Sequence, residues 1–428
     1  VNHPLPALRP ARLELAPEAD DRSWRSYLSH LECSLTGERF SASQPHGLSP
    51  AGKPLLARYA LERARAEVDR DELARRPQDM WRYRELLPVC DPAHLVSLGE
   101  QTTPLVALSE SPGRLFVKDE SRLPTGSFKA RGQATAMSMA RRFGFERVAM
   151  PTNGNAGSAM AAYAARAGIE AWCFCPVETP DVHVGEMLAA GAHVFRVEGM
   201  IDDCGAIVRA GREPMGWFPL STMQEPYRVE GKKTMGFELA EQFDWELPEV
   251  IIYATGGGTA LIAMWKAFDE LEALGWISSA RPRMVAAQST GCAPIVRAFE
   301  QGQRHAQRWQ DARTIAAGIR VPSAIADFMI LDVLTESGGW AEAVSDELIE
   351  AAQSKVARSN GLLMCPEGAA TYAVYEAARA RGDIAADERV VLFNCATGIK
   401  YPMPSKVPVI RAGDPVDWDA PDGDFIGG

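Results

Sequence analysis

Three short stretches hold residue types that can do chemistry together. The first is Pro124–Gly132, PTGSFKARG, with Lys129 standing where a helix-like run, QATAMSMARRFG, begins. A helix N-terminus carries partial positive charge, which disfavours a lysine there and lowers its ammonium pKa. A partly neutral lysine amine is a nucleophile toward aldehydes, the first requirement of Schiff-base chemistry. The plain alternative is a solvated lysine on a first helical turn.

The second stretch is Thr255-Gly256-Gly257-Gly258-Thr259, after the apolar run EVIIYA and ahead of the amphipathic run TALIAMWKAFDELEALG. Glycines let backbone amides face a ligand, and the helix start adds its own positive end, so a phosphate fits here. A tight strand-to-helix turn would use the same glycines. No Gly-Lys-Ser or Gly-Lys-Thr ends the loop, as a nucleotide P-loop requires. The next strand-like run, PRMVAAQS, ends in Gln288 and Ser289 rather than an acid, which disfavours a nicotinamide dinucleotide.

The third stretch is PTNGNAGS, where Asn153, Gly154, Asn155 and Ala156 lead into the small-residue run AMAAYAARAG. An Asn at a helix start is commonly an N-cap. Open amides at the same place can also hold an anion such as a carboxylate, while an Asn amide donates to a phenolic oxygen.

Each stretch joins an apolar strand-like run to a helical one, and that alternation runs from about residue 96 to the strand-like RVVLFNC. It is the pattern of mostly parallel sheets flanked by helices, whose ligands bind beyond the carboxyl ends of the strands. The fold class expected is therefore α/β with open parallel sheets. Residues 1–80 are rich in Pro and Arg and read as a mostly helical extension, with PLLARYALERARAEVDRDELARR as its main helix.

The chain has 428 residues and a net charge of −11. That excess of acid disfavours nucleic acid as a partner. No apolar run reaches about 18 residues, so no membrane span is expected. The eight cysteines are scattered and the seven histidines lack ligand spacing, which points to free thiols in a cytoplasmic protein and to no metal.

The runs MWRYRELLPV, LGEQTTPLV, KDESRLPTGSFKARG, NGNAGSAMAAYAARAG, YRVEGKKTMGFELAEQF, MCPEGAATYAV and CATGIKYP, in this order, resemble the threonine synthases. These belong to the pyridoxal-phosphate enzymes built like the tryptophan synthase β subunit (fold type II). The resemblance implies two domains, one of 81–129 and 226–428 carrying the phosphate loop, the other of 130–225 inserted into it. It implies that Lys129 binds the cofactor, that Phe128 packs on its ring and that Asn155 meets its 3-hydroxyl. Gly256, Gly257, Gly258 and Thr259 then cradle its phosphate, and Thr397 faces the pyridine nitrogen.

A hydroxyl there cannot keep the ring protonated as a carboxylate would, which suits elimination and replacement. Ser127, Asn153, Gly154, Ala156, Arg228 and Lys232 complete the set on the substrate side, with Arg228 the first choice to meet a departing phosphate. The implied reaction turns O-phosphohomoserine and water into threonine and phosphate in a homodimer. A threonine or serine dehydratase, or a β-replacement enzyme for an O-phosphorylated amino acid, is the alternative on the same cofactor. TGGGT is nearer the dehydratase type of loop, and QEPYRVEG lacks the Asn-Pro of many threonine synthases.

Overall fold

The computed structural model describes residues 24–402 and 412–413. It opens with a three-stranded antiparallel sheet, β1 (Leu28–Cys33), β2 (Arg39–Ser41) and β3 (Leu55–Tyr59), in the order β2-β1-β3. This corrects the expectation of a mostly helical extension. Leu55–Tyr59 carries an apolar run that a helix would also accept, but it pairs with β1, Leu31 opposite Ala57, and buries Leu55, Leu56, Ala57 and Tyr59. Tertiary pairing overrides local propensity here. Only α1 (Leu61–Glu67) and a short 3₁₀ turn, Arg70–Arg75, are helical in that run. Residues 1–23 of the extension, and 403–411 and 414–428 of the larger segment, lie outside the described residues.

Next come β4 (Leu105–Ala107) and β5 (Leu115–Asp119), then α2 (Lys129–Arg142). The chain then builds a parallel four-stranded sheet in the order β8-β7-β6-β9, from β6 (Arg147–Pro151), β7 (Glu170–Pro176), β8 (His193–Val197) and β9 (Phe218–Pro219). Its crossovers hold α3 (Asn155–Ala167), α4 (Asp181–Ala189), α5 (Ile201–Ala210) and α6 (Arg212–Met215). The chain returns through α7 (Tyr227–Gln242) to β10 (Val250–Ala254), α8 (Thr259–Ala273) and β11 (Arg283–Ser289). The last elements are α9 (Pro294–Glu300), α10 (Asp327–Glu336), β12 (Trp340–Val344), α11 (Asp346–Asn360), α12 (Pro366–Arg381) and β13 (Val390–Asn394).

These last strands join the first two in a six-stranded sheet, β12-β11-β10-β13-β5-β4, parallel except for β4 at its edge. β10 and β13 are buried throughout, Val250 to Ala254 and Val390 to Asn394, as inner strands covered on both faces must be. Among the described residues no helix is long and apolar enough to cross a membrane, no metal-binding group of His, Cys, Asp or Glu occurs, and all eight cysteines are free.

Two helices carry unusual buried charge. On α2, Arg131 bonds Glu120 (2.7 and 2.9 Å) and, on α7, Glu238 (2.5 and 2.8 Å), while Lys118 of β5 bonds Glu238 at 2.7 Å. All four side chains are fully buried. Two cations face two carboxylates, so the network is neutral and fixes α2, whose first residue is Lys129, against α7 and β5.

Candidate active site

The segment before α2 is laid down by pairing with the end of β13. The amide of Phe128 donates to Cys395 O at 3.0 Å, Ser127 bridges Ala396, and Thr397 N donates to Gly126 O at 2.9 Å. This antiparallel contact sets Phe128 and Lys129 at the carboxyl ends of β13 and β10. They face a cavity of about 220 Å³, which is also lined by Asn153, Gly154, Asn155, Ala156, Lys232 and Gly256 to Thr259. The three stretches singled out in the sequence thus meet around one space.

Lys129 is the first residue of α2, and its Nζ lies 4.2 Å from the centre of the Phe128 ring. Burial pushes its pKa down to about 8, and the nearby Arg228 charge acts in the same direction. A fair share of the amine is therefore neutral near physiological pH. Lys232, on α7, is 1 % exposed and its Nζ sits 5.3 Å from the same ring. Burial, then the charges of Arg228 and Lys129, hold it well below the usual lysine range. Among the described residues its amine makes no hydrogen bond or ion pair, and its neighbour is the Phe128 ring.

The glycine loop is a cradle. The strand β10 ends at Ala254, Thr255 O takes a bond from Gln288 Nε2 at 2.9 Å, and α8 starts at Thr259. The backbone N–H groups of Gly256, Gly257 and Gly258 have no acceptor among the described residues. No side chain fits: a Cβ on Gly256 would stand 2.9 Å from Val321 Cγ2, and one on Gly258 2.2 Å from Ile330 Cδ1. Gly258 also has φ of +70°, open to glycine at little cost. Free amides at the start of a fifteen-residue helix are suited to a phosphate.

At the other wall, Thr152 Oγ1 accepts from Gly154 N (3.0 Å) and Gly157 N (2.8 Å), while Asn155 N and Ala156 N are left without acceptors at the start of α3. The Asn155 amide donates to Tyr401 Oη at 3.1 Å, and its Oδ1 is buried with no partner among the described residues. Asn153 Nδ2 reaches Arg320 O at 3.3 Å, across the cavity. The cradle, the orphaned Asn155 oxygen and the partly neutral Lys129 together fit pyridoxal phosphate, which brings an aldehyde, a ring hydroxyl and a phosphate.

Three expected residues are placed elsewhere. Ser127 is fully buried in the pairing with Ala396 and does not line the cavity. Nor does Thr397, whose hydroxyl caps the 3₁₀ turn Gly398–Lys400; Cys395, two residues earlier, takes the wall position. The reason is register: the residue beside the pairing with Phe128 is Cys395. Arg228 is set behind the wall, donating from Nη1 to Leu220 O (2.7 Å) and to Thr222 Oγ1 (3.3 Å), with Nη2 unpartnered among the described residues. Thr222 is the group that reaches the cavity. Lys233, next to Lys232, is tied to Glu230 at 2.6 Å and Glu270 at 2.8 Å on the far side of α7.

Sequence reasoning passed over Thr222, Tyr253, Glu367, His183 and Tyr401, all on the cavity wall. Glu367 and Tyr401 lie inside the runs MCPEGAATYAV and CATGIKYP, which flagged their neighbourhood but not the residues. Glu225, just before α7, takes N–H bonds from Tyr227 (2.7 Å) and Arg228 (3.1 Å), and burial pushes its carboxyl up to about 6 against the pull of Arg228.

A model of the family described as pyridoxal-phosphate dependent enzyme matches residues 96–396. The threonine synthase of Methanocaldococcus jannaschii is 34% identical over 378 residues, 86% of this chain and 92% of that one. The threonine synthase of Methanosarcina acetivorans is 33% identical, over 87% of this chain and 93% of its own. The structure of maize serine racemase superposes with a TM-score of 0.59 at 20% identity, over 70% of this chain and 88% of that one, a likeness of fold. By its sequence, its sheets and the cavity between them, this chain belongs to the fold type II pyridoxal-phosphate enzymes and, within them, to the threonine synthase family.

Proposed function

We propose that this protein is a lyase of amino-acid biosynthesis that converts O-phosphohomoserine and water into threonine and phosphate. The observation that carries the reading is Lys232, a buried amine with no hydrogen-bond or ion-pair partner among the described residues, on the cavity wall beside Lys129 and Thr222 and over the Phe128 ring. Such a group is unfavourable unless an anion arrives to meet it. The relatives named threonine synthase, matched over most of both chains, support the same reading.

Pyridoxal phosphate, when bound, supplies an aldehyde that captures amines and an electron-accepting ring that loosens the proton on an amino acid's α carbon. Gly256, Gly257, Gly258 and Thr259 would hold its phosphate, Phe128 would pack on its ring and Asn155 would meet its 3-hydroxyl. Lys129 would carry it, and its amine is placed to move protons at the substrate's α and β carbons. An amine with a pKa of about 8 accepts and returns protons readily near neutrality. The amides of Asn155 and Ala156, in a loop set by Asn153 and Gly154, hold the substrate carboxylate. Lys232 and Thr222 face the phosphate leaving the γ carbon, with Arg228 steadying Thr222. Cys395, rather than Thr397, is the residue of its segment on the cavity wall and would meet the ring; a thiol, like a hydroxyl, would not hold a proton on the ring nitrogen as a carboxylate would. Ser127 shapes the segment without touching substrate.

We read the two parallel-sheet layers as domains, 130–225 and 81–129 with 226–428, in a cytoplasmic homodimer, which light scattering of the purified protein tests. The reaction is tested by following phosphate, ammonia and amino-acid products from O-phosphohomoserine and from threonine. Equal yields of phosphate and threonine from the first are expected. Faster ammonia release from threonine would overturn the reading. In Lys129→Ala, borohydride should fix no cofactor to the chain.

A further inference from the structure

One imidazole on the cavity wall has no part in the chemistry above. His183 projects from α4, is 2 % exposed and lines the cavity. Its Nδ1 faces Ser158 Oγ at 3.4 Å and Glu186 Oε2 at 3.5 Å. Its other edge lies on Gly154: a Cβ built there would stand 2.4 Å from His183 Cδ2 and 2.8 Å from Nε2. Gly154 has φ of +137° and ψ of −99°, a conformation that only glycine adopts readily. Ring and glycine are matched parts. The imidazole fills the volume a side chain would take and props the turn that leaves the Asn155 and Ala156 amides free.

Glu186 serves a second partner. Its carboxylate meets Lys400 Nζ at 2.6 and 2.8 Å. Lys400 lies just beyond β13 of the six-stranded sheet and also donates to Thr125 O, at 2.5 Å, in the segment that leads to Lys129. The neighbouring Tyr401 takes the Asn155 hydrogen bond and packs edge-on to His183 with ring centres 6.2 Å apart. A continuous line of contacts therefore runs from the large sheet, through Lys400, Glu186 and His183, to the Gly154 turn of the small one.

We propose that His183 is a positioning residue for the carboxylate-binding turn, and that the Glu186–Lys400 pair couples this turn to the large sheet, so the turn is set for substrate when the two layers are engaged. This rests on reading the Asn155 and Ala156 amides as the substrate-carboxylate site. A half-buried ion pair with good geometry is a two-state contact, made or broken, which suits it to such coupling.

The test uses the holoenzyme and an equilibrium readout that needs no turnover. Binding of L-homoserine and of 3-aminopropan-1-ol, which lacks the carboxylate, is followed by the change in cofactor absorbance. The wild type should prefer L-homoserine. His183→Ala should lose about tenfold of that preference, with affinity for the amino alcohol unchanged. Lys400→Met should lose a similar factor, and the double variant no more than the larger single loss, because both act on one line of contacts.

With substrate, His183→Ala should raise KM far more than it lowers kcat. His183→Phe, which keeps the ring volume without the bond to Glu186, should fall between wild type and alanine; it carries the test if the alanine variant does not fold. A wild type indifferent to the carboxylate would sink the reading of the turn. A wild-type preference that survives in the His183 variants, or strictly multiplicative losses in the double variant, would sink the positioning role and the coupling.

Discussion

Replacing Arg131 by methionine should be among the most damaging single changes away from the cavity wall. Its guanidinium bonds Glu120 through Nε and Nη2 (2.7 and 2.9 Å), Glu238 through Nη1 and Nη2 (2.5 and 2.8 Å), and Thr234 Oγ1 at 2.9 Å. The wild-type cluster balances Arg131 and Lys118 against Glu120 and Glu238, with no exposure at any of them. The variant leaves one cation against two buried carboxylates. Stranding a buried charge in this way costs about 3–5 kcal/mol, more than the packing a methionine restores.

Adding Glu238→Gln returns the cluster to one cation and one anion. The double variant should therefore be more stable than Arg131→Met alone, by about 1–3 kcal/mol. Urea unfolding at neutral pH, with the slope checked for constancy, measures both steps. Acid adds a signature. Burial works to raise the Glu238 carboxyl, but Arg131 and Lys118 outweigh it and hold it well below its ordinary 4.5. A depressed carboxyl contributes stability above its unfolded value and loses it as pH falls toward the folded one. The gap between wild type and Arg131→Met should then narrow below pH 4.5. A cost under about 1 kcal/mol, or a double variant no more stable than the single one, would refute the charge-balance reasoning.

Other outcomes follow from the cavity. Gly258→Ala should weaken cofactor binding at least about tenfold in equilibrium dialysis, since both the +70° φ and Ile330 oppose a side chain. Glu225 is the opposite titration case to Glu238: burial raises its carboxyl from 4.5 to about 6, so its contribution is full below 4.5 and lost as pH rises through 6. Glu225→Gln should remove that loss, about 2 kcal/mol, and gain on wild type between pH 4.5 and 7 in urea midpoints. Thr397→Val should leave the holoenzyme absorbance spectrum unchanged, whereas Cys395→Val should shift it; the reverse result would restore the hydroxyl to the ring.

Local features of the chain determine a good deal. A glycine run between an apolar strand and an amphipathic helix is an anion cradle wherever the chain takes it, because only backbone geometry and the helix start are needed. Lys129 at the mouth of α2 and Asn155 at the mouth of α3 are legible for the same reason, and the alternation of periods yields the parallel sheets. What tertiary structure alone decided is which neighbour on a turn or strand end faces inward. Antiparallel pairing between the segment before α2 and the end of β13 puts Cys395, not Thr397, on the wall. The bond to Leu220 O turns Arg228 aside and leaves the cavity to Lys232. Pairing with β1 makes Leu55–Tyr59 a strand, and His183 is paired with Gly154 by the packing of α4 on α3. Each of these rests on contacts between segments far apart in the chain, and periodicity along a single segment carries no record of its partner.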